Sequence, residues 1–219
     1  LHTAYDWGFE DLQEMVVYQQ PFEYRKYETG KLRADGNPGF DTPTGLIELK
    51  SSIYPVFGEK ALPYFEEPYF SPYSDKIDQE VKDEYPLVLT TGGRNIAMFH
   101  SEHRQVPSLR AINPWPLVTI HPDTAHKYGI EEGDWVALEN PIGRCVQKAR
   151  LSPTVDQRVV HAQHAWWFPE QDGESPNLFG AYKANVNNLI PHEVVGVTGY
   201  GAPYKNVICK ISKVDDLDS

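Results

Sequence analysis

The sequence predicts a mostly β fold with short helices, in which six strands form a small barrel behind an irregular arm. Three observations carry this reading. From Tyr85 onward, short β-rich runs alternate with turn signals. One segment of helix length lies between two of those runs. Residues 1–80 are instead broken up by proline and aromatic clusters such as "QQPFEYRKYETG", "NPGFDTPTG" and "PYFEEPYFSPYSD", where regular structure should be sparse.

In chain order, the arm offers one strand candidate, "GLIELKSS" at 45–52, which follows the turn signal "DTPTG". The barrel strands are expected in "PLVLTT", "LVTIH", "WVALEN", "RCVQKARL", "VVHAQHAWW" and "NVICKISKV". Between the second and third, "HPDTAHKYGIEEGDWV" reads as a short helix capped by Asp123 or Thr124 and ended by Gly129, with "EEGD" turning into the next strand. The expected organisation is an arm over 1–80, packing on something larger, and a barrel domain over 81–219.

The chain has 219 residues, 40% hydrophobic and 23% charged, which is a globular composition. Its net charge of −11 argues against general nucleic-acid or membrane-surface binding, both of which need a cationic face. Any anionic ligand must be held by a few local donors. Cys145 and Cys209 are too few for a disulfide framework or a four-cysteine metal site, and read as buried thiols or one disulfide. No apolar run reaches the roughly 20 residues of a membrane-spanning helix. The start, "LHTAYDWGFEDLQ", lacks Met and the pattern of a signal peptide, so the chain is expected to be a processed or excised piece, and its cellular compartment stays open.

Three patches carry chemistry. "TTGGRN" closes the first strand, where a Gly-Gly pair lets backbone N–H groups face an anion with no Cβ in the way and Arg94 can add a bidentate contact. "FHSEHR" follows, gathering His100, Ser101, Glu102, His103 and Arg104 as a hydrogen-bonding wall or a solvated turn; no third ligand accompanies the two histidines as a metal site would require. In "VVHAQHAWWFPE", a regular strand would point His161 and His164 to opposite sides, with Trp166 and Trp167 as core or interface anchors and His164 as a ligand contact at the strand end. Finally, "NVNNLIP" offers Asn187 and Asn188 to the edge of a heterocycle, and "GYGAPYKNV" offers Tyr204 and Lys205 to another polar group. No Ser-His-Asp triad, carboxylate pair or Walker loop can be assembled, so binding is more visible than bond-making.

In this order, "YPLVLTTGGR", the run from "FHSEHRQ" to "ARLSPTV", "VVHAQHAWWFPE", "NVNNLIP" and "PYKNVICKISK" resemble the C-terminal cap domain of molybdopterin-dinucleotide oxidoreductases of the dimethyl sulfoxide reductase superfamily. "GFDTPTGLIEL" resembles the segment leading into that domain, and the likeness covers about residues 39–212. Its wording is most similar to the branch containing acetylene hydratase, thiosulfate or polysulfide reductase and related anaerobic dehydrogenases.

The resemblance implies a double-psi β-barrel of the aspartate-decarboxylase type, capping a larger catalytic subunit that encloses a bis(molybdopterin guanine dinucleotide) cofactor with molybdenum or tungsten. It also implies cofactor contacts from Thr91, Gly92, Gly93 and Arg94, with Ser101 and His100 beside them, and from His164, Asn187 or Asn188, Tyr204 and Lys205. The family's iron–sulfur cysteine cluster and metal ligand have no counterpart in this sequence. The implied partners are the remaining domains of the same subunit and an electron-transfer iron–sulfur subunit. The alternative expectation is a stand-alone, non-catalytic module that uses the same barrel to bind a nucleotide or a protein.

Overall fold

A computed structural model describes residues 7–19, 22–192 and 205–219. The chain divides into two compact units, Leu1–Pro63 and Tyr64–Ser219. Residues 64–80, read from sequence as part of the arm, are therefore grouped with the barrel, and Phe70 accepts a backbone hydrogen bond from Ile208 (2.9 Å).

In the first unit the regular elements among the described residues are α1 (Phe9–Met15), α2 (Lys26–Thr29) and a 3-10 turn, Tyr54–Phe57. Turns fill the rest. They are organised by Arg33, which bonds Asp35 and the Phe40 carbonyl, and by the stacked rings of Tyr27 and Phe40. The strand expected at 45–52 does not form. Thr44 and Ser52 donate to the Glu48 carboxylate, and Thr42 donates to the Leu46 carbonyl. These local side-chain bonds bend the backbone that a strand would extend.

The second unit contains α3 (Gln79–Glu84), β1 (Leu87–Thr91), α4 (Pro107–Ile112), β2 (Leu117–Ile120), α5 (Pro122–Lys127), β3 (Trp135–Glu139), β4 (Arg144–Leu151), β5 (Val159–Ala162), α6 (Ala181–Ala184) and β6 (Val207–Val214). The strands close in the order β1-β5-β2-β4-β3-β6. β1 runs parallel to β5 and β2 parallel to β4, while the other four pairings are antiparallel. Two connections each step over one strand: β1 to β2 passes β5, and β4 to β5 passes β2. These interlocked crossovers make the barrel a double-psi β-barrel.

Alternation decides what faces inward. Leu87, Leu89, Val118, Ile120, Val136, Leu138, Val160, Ala162, Cys209 and Ile211 fill the barrel. Each fully buried aliphatic side chain of this kind contributes about 1.5 to 3 kcal/mol. Cys145 and Cys209 lie in this core as free thiols, and burial pushes both well above the ordinary thiol range. A second cluster of Ala97, Met98, Trp166, Phe168 and Ala184 includes residues of the β1–β2 crossover.

Two local expectations need correction. The cap of α5 is His121, whose Nδ1 accepts from Asp123 N, because Pro122 occupies the first helical position; the cap thus lies two residues upstream of Asp123 and three upstream of Thr124, the two expected caps. Gly129, at φ 65°, follows the helix as expected. β5 stops at Ala162, well short of Trp167. Gln163 N turns toward Leu117 O and Gln147 Oε1, and Ala165 then adopts a left-handed φ of 55°. His164 therefore lies beyond the strand, and strand alternation does not decide its direction.

Candidate functional site: a polar row under the first crossover

Adjacent strands β5, β2 and β4 pair His161 with Thr119, and Thr119 with Arg150. Their inward neighbours Val160, Val118 and Ala149 are core, so these three side chains line up on the outer face of the barrel. Arg150 Nη2 donates to Thr119 Oγ1 at 2.8 Å. The start of the β1–β2 crossover runs across this row, and between them lies a cleft of about 360 Å³ lined by Gly93, Arg94, Asn95, Asn113, Arg150 and His161, among others.

The glycines permit the crossing. Gly92 holds φ 86°, which a side chain would strain, and a Cβ on Gly93 would lie 2.5 Å from His161 Nε2. The loop passes directly over the imidazole. Thr91, expected to face a ligand, instead points inward and donates Oγ1 to the Ala162 carbonyl (2.8 Å), while its own carbonyl accepts from Lys205 Nζ.

Arg94 reaches toward the second patch. Its Nη1 lies 3.1 Å from His100 Nε2, and His100 Nδ1 lies 3.2 Å from His164 Nε2. A guanidinium only donates, so His100 accepts at Nε2 and carries its proton on Nδ1. That proton faces His164 Nε2, which places the His164 proton on Nδ1. One direction of donation thus fixes both tautomers.

Burial lowers the His164 pKa first, followed by His100, Arg104, Arg94 and Lys205. Burial likewise lowers that of His161, assisted by Lys205 and Arg150. Among the described residues, no carboxylate pairs with Arg94 or Arg150. An acidic chain thus presents a local cationic field beside two neutral imidazoles. Among the same residues, no group of three or more His, Cys, Asp or Glu side chains could hold a metal ion.

The remaining candidates separate. Ser101 is exposed, and its carbonyl accepts from Trp167 Nε1 at 2.6 Å. Asn188 donates its amide to the Tyr182 and Arg144 carbonyls and latches the Val186–Leu189 turn onto β4. Asn187 on the same turn is exposed. Tyr204 lies outside the described residues.

Sequence reasoning missed Arg150 as a site residue, and left His161 out of the expected contacts. It also missed the amide ladder beneath them. Fully buried Gln147 donates to Gln163 O (2.8 Å) and Ala184 O (2.9 Å), and Gln163 in turn exchanges bonds with Asn113. The available signal was a lone Gln at the inward position between Cys145 and Ala149.

Residues 87–208 match the model of the family described as "Molydopterin dinucleotide binding domain". The chain is 38% identical over 190 residues to dopamine dehydroxylase of Eggerthella lenta, covering 77% of this chain and 18% of that protein. Against acetylene hydratase of Syntrophotalea acetylenica it is 33% identical over 160 residues, covering 73% and 21%. The solved acetylene hydratase from Pelobacter acetylenicus superposes with a TM-score of 0.72 at 29% identity, over 84% of this chain and 25% of that one. The chain spans about a fifth of the length of these curated relatives. With a family match over more than half its length, on a double-psi barrel, this chain belongs to the molydopterin dinucleotide binding domain family of molybdopterin oxidoreductases.

Proposed function

We propose that the cleft under the first crossover contacts the phosphates and pterin of a molybdopterin guanine dinucleotide, in the bis form with molybdenum or tungsten. The observation that carries this is the Gly92-Gly93-Arg94 loop crossing the outer row of His161, Thr119 and Arg150. The donor set fits the ligand. A pyrophosphate needs backbone N–H groups and cations, and a pterin needs neutral polar edges. Gly92 and Gly93 expose backbone, Arg94, Arg150 and Lys205 supply charge, and His100, His164 and Asn187 supply the polar edge. Asn187 is the better contact of the asparagine pair, because the Asn188 amide is committed to its latch. When bound, the cofactor supplies the redox or hydration chemistry. The residues of this chain orient it and exclude water.

On this reading the chain is the cap of a larger catalytic subunit. The first unit, with residues such as Leu49 and Val56 more than three-quarters exposed, is a lead-in that packs on other domains of the same polypeptide. Those domains would complete the cofactor's other face, bear any iron–sulfur cluster and pass electrons to a partner subunit. The chain alone would bind the free cofactor weakly and turn over no substrate. The test is Arg94→Ala in the intact subunit. Pterin content, read by fluorescence after oxidation, should fall several-fold while circular dichroism and melting stay unchanged. Full pterin content in that variant would remove Arg94 from the site and the reading with it.

A further inference from the structure

Arg104 is nearly fully buried, at 3% exposure, yet no carboxylate partners it among the described residues. Burial, then the nearby Arg110, hold its pKa down to about 10, so it remains a cation at neutral pH. A buried charge without a counter-ion is costly and persists where its hydrogen bonds are needed. Those bonds go to main-chain carbonyls: Nη1 donates to His100 O (2.7 Å) and Glu102 O (3.1 Å), and Nη2 donates to His164 O (3.3 Å). The guanidinium stacks on the Trp166 ring at 4.8 Å.

Two of the three carbonyls held are those of the histidines that meet at 3.2 Å, although 64 residues separate them in the chain. One belongs to the β1–β2 crossover and the other to the segment after β5. His100 and His103 both adopt left-handed φ, 45° and 75°, which non-glycine residues take at a cost. Gly93, His100, Arg104 and His164 together line a void of only about 10 Å³, so they converge on one point.

We infer that Arg104 is a positioning residue: its guanidinium clamps the His100 and His164 backbones so that the imidazole pair, aligned by Arg94, is presented as one rigid edge to the cofactor. This rests on the proposed function above. Contact with the cofactor belongs to the histidines. Arg104 acts through them from behind.

The test is a double-mutant cycle in the cofactor-loaded intact subunit, with the rate of pterin release as readout. Arg104→Lys keeps the charge but cannot span both carbonyls, and should speed release about three- to tenfold. His164→Ala should do the same. The double variant should release more slowly than the product of the two single effects, because His164 is one of the two imidazoles that the clamp positions. Multiplying effects would assign Arg104 a general structural role and overturn the inference, as would unchanged release in Arg104→Lys. Unchanged release in both His164→Ala and Arg94→Ala would instead defeat the site reading on which the inference rests. If Arg104→Lys yields no folded subunit, Trp166→Phe, which alters the stacking platform, enters the same cycle with the same predicted coupling to His164 and the same overturning result.

Discussion

Gly93 lets a loop lie on an imidazole, and Gly92 supplies the left-handed turn that brings it there. Gly92→Ala should cost about 1 kcal/mol through its positive φ, measurable by urea unfolding. Gly93→Ala acts differently. Its Cβ would meet the far edge of the His161 ring, which can rotate away, so stability should change by less than about 1.5 kcal/mol while His161 leaves the polar row. A histidine side-chain NMR signal that does not shift in Gly93→Ala would contradict this. The histidines also carry a pH dependence. The folded-state pKa values of His161 and His164 lie below the ordinary 6.5, so below that pH the unfolded chain binds more protons. Their contribution to stability is full above about pH 6.5, falls as pH drops through that value, and levels off below the folded pKa values. Melting temperature against pH should show this decline, and His161→Gln with His164→Gln should flatten it. The Gly-Gly-Arg loop was legible because glycine and arginine advertise their chemistry locally. Arg104, His161 and Arg150 were not, because their roles depend on strand register and on a contact across 60 residues of chain.

The barrel strands were readable for a physical reason. Alternating apolar residues bounded by Gly, Pro and Asp specify a half-buried pleated ribbon whatever its partner, and the six expected runs contain all six observed strands. The failures occurred where side chains compete with the ladder. In "GLIELKSS", hydroxyl and carboxylate groups bond locally, and beyond Ala162 the Gln163 amide turns into the Gln147 ladder. That ladder is a buried polar element of the barrel. Gln147→Leu would leave the Gln163 and Ala184 carbonyls and the Gln163 N–H without this partner, and should cost about 3 kcal/mol in urea unfolding. A cost under about 1 kcal/mol would show that water satisfies these groups and that the ladder is dispensable. At α5, His121→Ala should cost about 1 kcal/mol by loss of the cap.

At the scale of the molecule, the hydrophobic clusters of the second unit are drawn entirely from Tyr64–Ser219. Residues 64–219 expressed alone should therefore melt cooperatively, as followed by circular dichroism, and a broad non-cooperative melt would show that this unit needs Leu1–Pro63 to fold. The same organisation lets a chain of net charge −11 accommodate the proposed anionic ligand. Charge is distributed over the whole surface, whereas Arg94, Arg104, Arg150 and Lys205 concentrate around one crossover. The most direct measurement of the central claim is an experimental structure of the intact, cofactor-loaded subunit. Cofactor phosphate or pterin atoms should lie within hydrogen-bond distance, about 3 Å, of the 92–94 backbone or the Arg94 guanidinium, with the His100–His164 edge beside them. A cofactor that reaches neither this loop nor the histidine pair would contradict that claim.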